Sequence, residues 1–350
     1  MHASIFENGK GWGYLSPFLQ MIGLFGEWEK QMKVKDALKD KPLRQTSIGG
    51  QAVLEGVMMM GKNMYALSVR TPDKTIETVK TVTNRASNKY KALRLPIIRG
   101  IVSFGSSMIT GMRVIYKSAE LAGLNDLEEE NPSKFDLWLQ NKFGDKLYDY
   151  IMILSVVIAI VLGIGLFMVL PVGLSSLITP FLGEATWAIG IVEGLMRIVI
   201  FLLYMYLISR TKEIQKVFKY HGAEHKTINC FEHQQALTVE NVRNNTRLHK
   251  RCGTSFLLLV MLVSMVVFFF VRTDVVWIRM LSRILLVPFI AGISYELIRW
   301  AGKSDATVVK IISYPGLCLQ HLTTLEPDDD QIEVAIAALN GVLEAEPENA

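Results

Sequence analysis

Two histidines, His221 and His225, stand four residues apart with Glu224 between them in the segment His221-Gly222-Ala223-Glu224-His225. On a helix that spacing puts both imidazoles on one face, about one turn apart. Such a pair can hold one transition metal, and the glutamate can act as a general base. The pattern is H-x-x-E-H, the inverse of the common zinc-protease motif. The motif is short, and its surroundings strengthen it. Four of the six histidines (His221, His225, His233, His249) and two of the three cysteines (Cys230, Cys252) fall in the same stretch.

The local pattern extends the site. If the helix continues, Ile214, Phe218, His221, His225, Ile228 and Glu232 share one stripe, and Glu232 lies in line with both histidines. His249 and Cys252 form a second pair just ahead of an apolar run. Imidazole and thiolate suit zinc, or another late transition metal. A closed set of His221, His225, His249 and Cys252 would be structural. Three ligands with an open position would be catalytic, with Glu224 or Glu232 as base, or Glu232 as a ligand. The plain alternative is a surface helix whose histidines face water or headgroups, with Cys252 a small buried apolar residue. His233 reads as a solvated bystander.

The elements that must position these residues are apolar. Half of the 350 residues are hydrophobic, and four runs are long enough to span a bilayer: Ile151–Leu170, Ala185–Ile208, Thr254–Val271 and Leu281–Ile298. The reading is therefore a mainly α, polytopic helical membrane protein with about four transmembrane helices. The loop 209–253 carries Arg210, Lys212, Lys216, Lys219, Lys226, Arg243, Arg247, Lys250 and Arg251, whereas the connection Pro171–Glu184 has neither Lys nor Arg. That asymmetry places the loop and both termini in the cytoplasm of a cell (inner or plasma) membrane protein. Met1–Lys10 has no long apolar core, so no signal peptide is expected. Cytosolic thiols are expected to be reduced. The net charge of +4 is small, and its basic residues sit beside the spans, which fits anionic lipid better than nucleic acid.

Outside the spans, residues 1–44 read as an irregular leader with a mildly amphipathic Leu15–Trp28. Residues 45–93 read as a small cytoplasmic β-rich unit, with a hairpin of Tyr65–Arg70 and Thr75–Val82 about Thr71-Pro72-Asp73-Lys74. Residues 94–150 are helical and interfacial or membrane-associated. Arg94–Ala122 offers small residues for close packing at Gly100, Ser103, Ser106, Ser107 and Gly111. Asn125–Ser133 is an acidic loop, and Phe135–Tyr150 a short amphipathic helix. The membrane domain spans 151–325. The acidic segment 326–350 forms a helix capped by Asp328–Asp330 with apolar Ile332, Ile336, Leu339 and Leu343, docked on the cytoplasmic face. Glu193 and Arg197 are spaced to pair on one helix face inside the second span.

Four motifs resemble one family. Gly49-Gly50-Gln51-Ala52-Val53-Leu54-Glu55-Gly56-Val57-Met58-Met59, Leu95-Pro96-Ile97-Ile98-Arg99-Gly100, Tyr220-His221-Gly222-Ala223-Glu224-His225-Lys226 and Arg251-Cys252-Gly253-Thr254-Ser255 are similar to those of the DUF1385 family of bacterial membrane proteins. The resemblance runs from about Ile48 to about His321. It implies an integral inner-membrane protein, and the family's label of predicted metal-dependent enzyme rests on the same His, Glu and Cys pattern. Glu55 and Arg99 are further candidates: Glu55 could offer a carboxylate to the metal or pair with Arg99. The leading expectation is a metal-dependent hydrolase, with His221 and His225 as ligands and Glu224 as base. A scaffold or assembly factor with a structural metal and a transporter or channel are the alternatives. The expected partners are the lipid bilayer and a homo-oligomer or membrane-protein partner, with no nucleic acid.

Overall fold

The computed structural model describes residues 46–83, 93, 95–124, 147–182, 186–271, 275–301, 304 and 306–346. The leader 1–44, the acidic loop Asn125–Ser133, the expected helix at 135–150 as far as residue 146, and the tail Pro347–Ala350 lie outside them. Four strands come first: β1 (Gly49–Val53), β2 (Gly56–Met60), β3 (Met64–Arg70) and β4 (Ile76–Val82). They form one antiparallel sheet in chain order. Leu54 and Glu55 make the tight turn from β1 to β2, with Glu55 at φ 53. The expected second hairpin forms β3 and β4, closed by Thr71 N–H donating to the Thr75 carbonyl at 2.9 Å.

This sheet is covered on both sides, which explains the unbroken apolar run of β2. Val57, Met59 and Ala66 point to a core shared with two helices, α5 (Lys212–Glu232) and α10 (Asp329–Ala345). Met58, Leu67 and Val69 point the other way, onto Val114 of α1 (Ile98–Leu121). The expected close packing of α1 occurs at Gly100, where an added methyl would come within 2.8 Å of the Gly292 carbonyl. A capping box of Asp328 and Gln331 starts α10, and its buried Ile332, Ala335, Ala338, Leu339 and Val342 place it in the core.

The apolar runs form α2 (Leu147–Ile164), α3 (Leu170–Leu182), α4 (Thr186–Ile208), α7 (Gly253–Phe270) and α8 (Val276–Ala301). Four stretches are long and apolar enough to cross a membrane: Leu154–Ile178, Ala188–Ile208, Gly253–Phe270 and Trp277–Ala301. Their outward side chains are aliphatic, as at Leu154, Val161, Leu195 and Leu285. A membrane protein follows from these helices. One expectation needs correction. The sequence reads Pro171–Glu184 as a connection, either a tight outer turn or a dip into the bilayer, but the helix continues through Pro171 to Leu182. Proline has no N–H to give the carbonyl four residues earlier, and its ring crowds that carbonyl. The chain relieves this with a π-helical turn, Gly165–Val169, just before α3. The Phe167 carbonyl so released accepts the Arg197 Nε–H at 2.8 Å.

The remaining helices are α6 (Val239–Asn244) and α9 (Thr307–Thr323). The backbone is extended at Thr211, so α5 is a separate helix rather than a continuation of α4. The sheet, α6 and α10 bury α5 from Tyr220 to Cys230, apart from partial exposure at His221.

Candidate metal centre

Two helices and one chain crossing build the site. His221 and His225 sit one turn apart on α5 with their rings 4.4 Å apart. Each Nδ1 faces a backbone carbonyl: Thr323 for His221 at 2.8 Å, and Arg247 for His225 at 2.6 Å. A carbonyl only accepts, so each Nδ1 is the protonated nitrogen and each Nε2 is available as a ligand. That arrangement is how metal-binding imidazoles are usually oriented. Cys252 approaches from the start of α7, where its sulfur also caps the helix by accepting from Thr254 N–H at 3.4 Å. Its Sγ lies 3.2 Å from His221 Nε2. One ligand atom from each of His221, His225 and Cys252 falls within 4.8 Å of the others.

Gly222 explains how the crossing comes close. After α9 the chain passes over α5, with Leu325 N–H donating to the Phe218 carbonyl at 2.9 Å. A methyl on Gly222 would drive into the Leu325 carbonyl. The glycine therefore lets this segment lie on the helix, and the same segment delivers the Thr323 carbonyl to His221.

Glu224 completes the cluster from the side. It is 4% exposed, and it accepts a hydrogen bond from the Gly50 N–H of β1. An added methyl on Gly50 would reach to 2.8 Å from that carboxyl. Among the described residues, Glu224 Oε2 has no hydrogen-bond partner.

The electrostatics are those of an ion pair. Burial alone would push the Cys252 thiol up, but His221 and His225 bring it well below the ordinary value. Burial pulls the His221 imidazole down, yet Cys252, Glu224 and the Thr323 carbonyl outweigh it and raise it to about 9. Burial raises Glu224, against the opposing pull of His221 and His225. The donor set of two nitrogens and one sulfur, with tautomers fixed and a buried carboxylate oxygen left over, fits a zinc-like ion.

Glu232 and His249 stand behind this layer rather than in it. The Glu232 carboxylate is taken by Arg251, by Thr46 N–H at 3.0 Å and by Thr46 Oγ1 at 2.9 Å. His249 Nε2 lies 3.6 Å from Glu232 Oε2, with its ring 5.6 Å from that of His225. Burial opposes the charged Glu232, but His249, Arg251 and Thr46 bring it down to about 2. Its place on the helical stripe was legible in the sequence; the arginine that claims it was not. His233 Nδ1–H donates to the Asn229 carbonyl of its own helix at 2.7 Å, and Cys230 is fully buried with its thiol pushed up by burial.

The other candidates separate. Glu55 binds Lys216 and accepts from Tyr220 at 3.5 Å, so it neither joins the cluster nor meets Arg99. Arg99 forks onto Glu296 of α8, where Nε meets Oε1 at 2.6 Å. Glu193 is paired with Arg283 and Arg279 from α8 rather than directly with Arg197. Sequence reasoning missed Gly50, Thr323 and Arg247. Only the Gly49-Gly50 pair carried a signal, since paired glycines permit close backbone approach.

The family profile described as Protein of unknown function (DUF1385) matches residues 95–345. The protein YqhQ of Bacillus subtilis (strain 168), described as uncharacterised, is 38% identical over 299 residues, 85% of this chain and 92% of its own length. The chain belongs to the DUF1385 family. No solved structure matches it. The DUF1385 match runs from α1 through α10, further toward the C-terminus than the motifs alone indicate. It contains His221, His225, Cys252 and Glu224, while Gly50 and the sheet precede it.

Proposed function

We propose that this DUF1385 protein is a metal-dependent hydrolase of the membrane surface, with His221, His225 and Cys252 as ligands and Glu224 as general base. One observation carries the reading: three ligand atoms converge within 4.8 Å beside a buried carboxylate oxygen that has no partner among the described residues. When bound, an ion there supplies Lewis acidity toward an oxygen of water or substrate. The protein supplies the rest. The Thr323 and Arg247 carbonyls hold the two rings in their tautomers. Glu224, raised toward neutrality by burial, takes a proton from water and returns it to a leaving group. Gly50 N–H fixes one end of that carboxylate.

The turn of His249 toward Glu232 favours an open three-ligand site over a closed structural one. The basic residues flanking α5 support a cytoplasmic site by the positive-inside rule. Elemental analysis of the detergent-purified protein beside a His221→Ala/His225→Ala variant of matched folding tests the reading. About one zinc, iron or manganese per chain is expected, absent from the variant and retained by Glu224→Gln. No metal in the unaltered protein, even after reloading, overturns it.

A further inference from the structure

At the end of the bundle away from the histidines lies a second buried polar cluster. Glu193 of α4 is fully buried and ion-paired with Arg283, and Arg279 Nη1 is 3.4 Å from its other oxygen. Arg197, one turn along α4, donates Nε to the Phe167 carbonyl and Nη1 to Ser264 Oγ at 3.3 Å. Arg197 and Arg283 also lie over the Phe268 ring, 5.1 and 4.6 Å from its centre.

The charges do not balance. Among the described residues, Glu193 is the one carboxylate of the cluster and pairs with Arg279 and Arg283, while Arg197 meets only a carbonyl and a hydroxyl, leaving two positive charges in excess. Three buried guanidinium nitrogens, Arg197 Nη2, Arg279 Nε and Arg283 Nε, also lack an acceptor. A buried ion without its counter-charge costs several kcal/mol. Stacking on Phe268 offsets part of that but neutralises nothing. Intramembrane charges of this kind mark ligand sites or ion paths by default.

The cluster is also reachable. At ~1.5 Å per residue, Arg279 lies about 5 Å and Arg283 about 10 Å along α8 from its first residue, near the Trp277 end of the apolar stretch Trp277–Ala301. The Arg279 side chain keeps 13% exposure, against 4% for Arg283 and 0% for Glu193. Arg279 is therefore the rim and Arg283 the floor.

We propose that Arg197, Arg279 and Arg283 bind a phosphate-class oxyanion, presented as a lipid headgroup or as free phosphate. Guanidinium forks match its geometry, and the ligand supplies the missing negative charge and acceptors. Glu193 competes for the same donors and sets the affinity. This inference does not depend on the metal centre.

The test is the thermal midpoint of the full chain in detergent, titrated with inorganic phosphate, and in phosphatidylcholine vesicles with and without phosphatidylglycerol. A dose-dependent rise is expected in the unaltered protein, with at least a tenfold weaker response in Arg279→Gln. Glu193→Gln is expected to respond at lower anion concentration, because a competitor has gone. A response to phosphatidylglycerol alone assigns a lipid headgroup, and a response to both assigns a free-anion site. No response to either, or equal responses in the unaltered protein and Arg279→Gln, overturns the proposal and leaves a closed structural ion network. Arg279→Gln keeps the Glu193–Arg283 pair, so the test stands even if Glu193→Gln fails to fold.

Discussion

The two buried polar clusters are built from groups of opposite character. At the α5 end, two imidazole nitrogens, a sulfur and a buried carboxylate oxygen converge. At the far end, three guanidiniums lie in one cluster with a single carboxylate, which two of them bind. The first is held by backbone: the Thr323 and Arg247 carbonyls and the Gly50 N–H fix each group. The second is held by side chains from three helices and a carbonyl released by a π-helical turn. Backbone-held groups keep their geometry when a ligand leaves. Side-chain-held charges rely on each other, so removing one should cost stability rather than specificity.

The sharpest way to break this comparison is Arg283→Gln, which leaves the buried Glu193 only its longer pair with Arg279. A loss of about 3–5 kcal/mol is expected, read as a fall in thermal midpoint with metal content per folded chain unchanged. Metal loss in that variant would mean the two ends are not independent.

Glu232 gives the next largest effect. Its folded value of about 2 lies below the unfolded one, so its contribution is present above the unfolded value and lost as pH falls toward 2. Glu232→Gln should therefore lose about 3 kcal/mol at pH 7, and the gap to the unaltered protein should narrow steadily below pH 4. A gap that does not change with pH would show that Glu232 acts by shape rather than charge.

Gly222→Ala tests the crossing segment. Overpacking of this kind costs about 1–3 kcal/mol, and displacing the Leu325 carbonyl should pull Thr323 from His221. Both a lower midpoint and weaker metal retention are expected, by calorimetry and competition with a chelator. The smallest effect is at Thr238, whose hydroxyl accepts from Asn241 N–H at 3.3 Å to cap α6. Thr238→Ala should cost about 1 kcal/mol or less without touching metal binding, which makes it the control for stability alone.

Local pattern carried much of this fold into view. The spans, the hairpin of β3 and β4 and the one-turn spacing of His221 and His225 all depend on short-range periodicity, and the structure has each of them. Pro171 misled because proline marks a turn and a tolerated π-helical turn equally well. Glu193 and Arg197 were matched by their spacing, whereas the stronger partners arrive from α8, about ninety residues on. The Thr323 and Arg247 carbonyls left no trace, since every residue has one. Glu232 and His249 show the same limit: a helical stripe says which residues share a face, and only the tertiary partners say which of them remain available.

The contact between the first strands and the last helix bears on how the protein is made. Lys62 N–H meets the Glu346 carboxylate at 2.8 Å across 284 positions of sequence, and the Val57, Met59 and Ala66 face of the sheet is covered by α10. At 5–20 residues per second, a ribosome needs roughly 10–50 s to travel from β4 to α10. For that interval the sheet leaves the ribosome with one apolar face bare while the spans are being inserted. The nascent chain thus carries a sticky surface that a chaperone or the bilayer itself must shield until synthesis reaches α10.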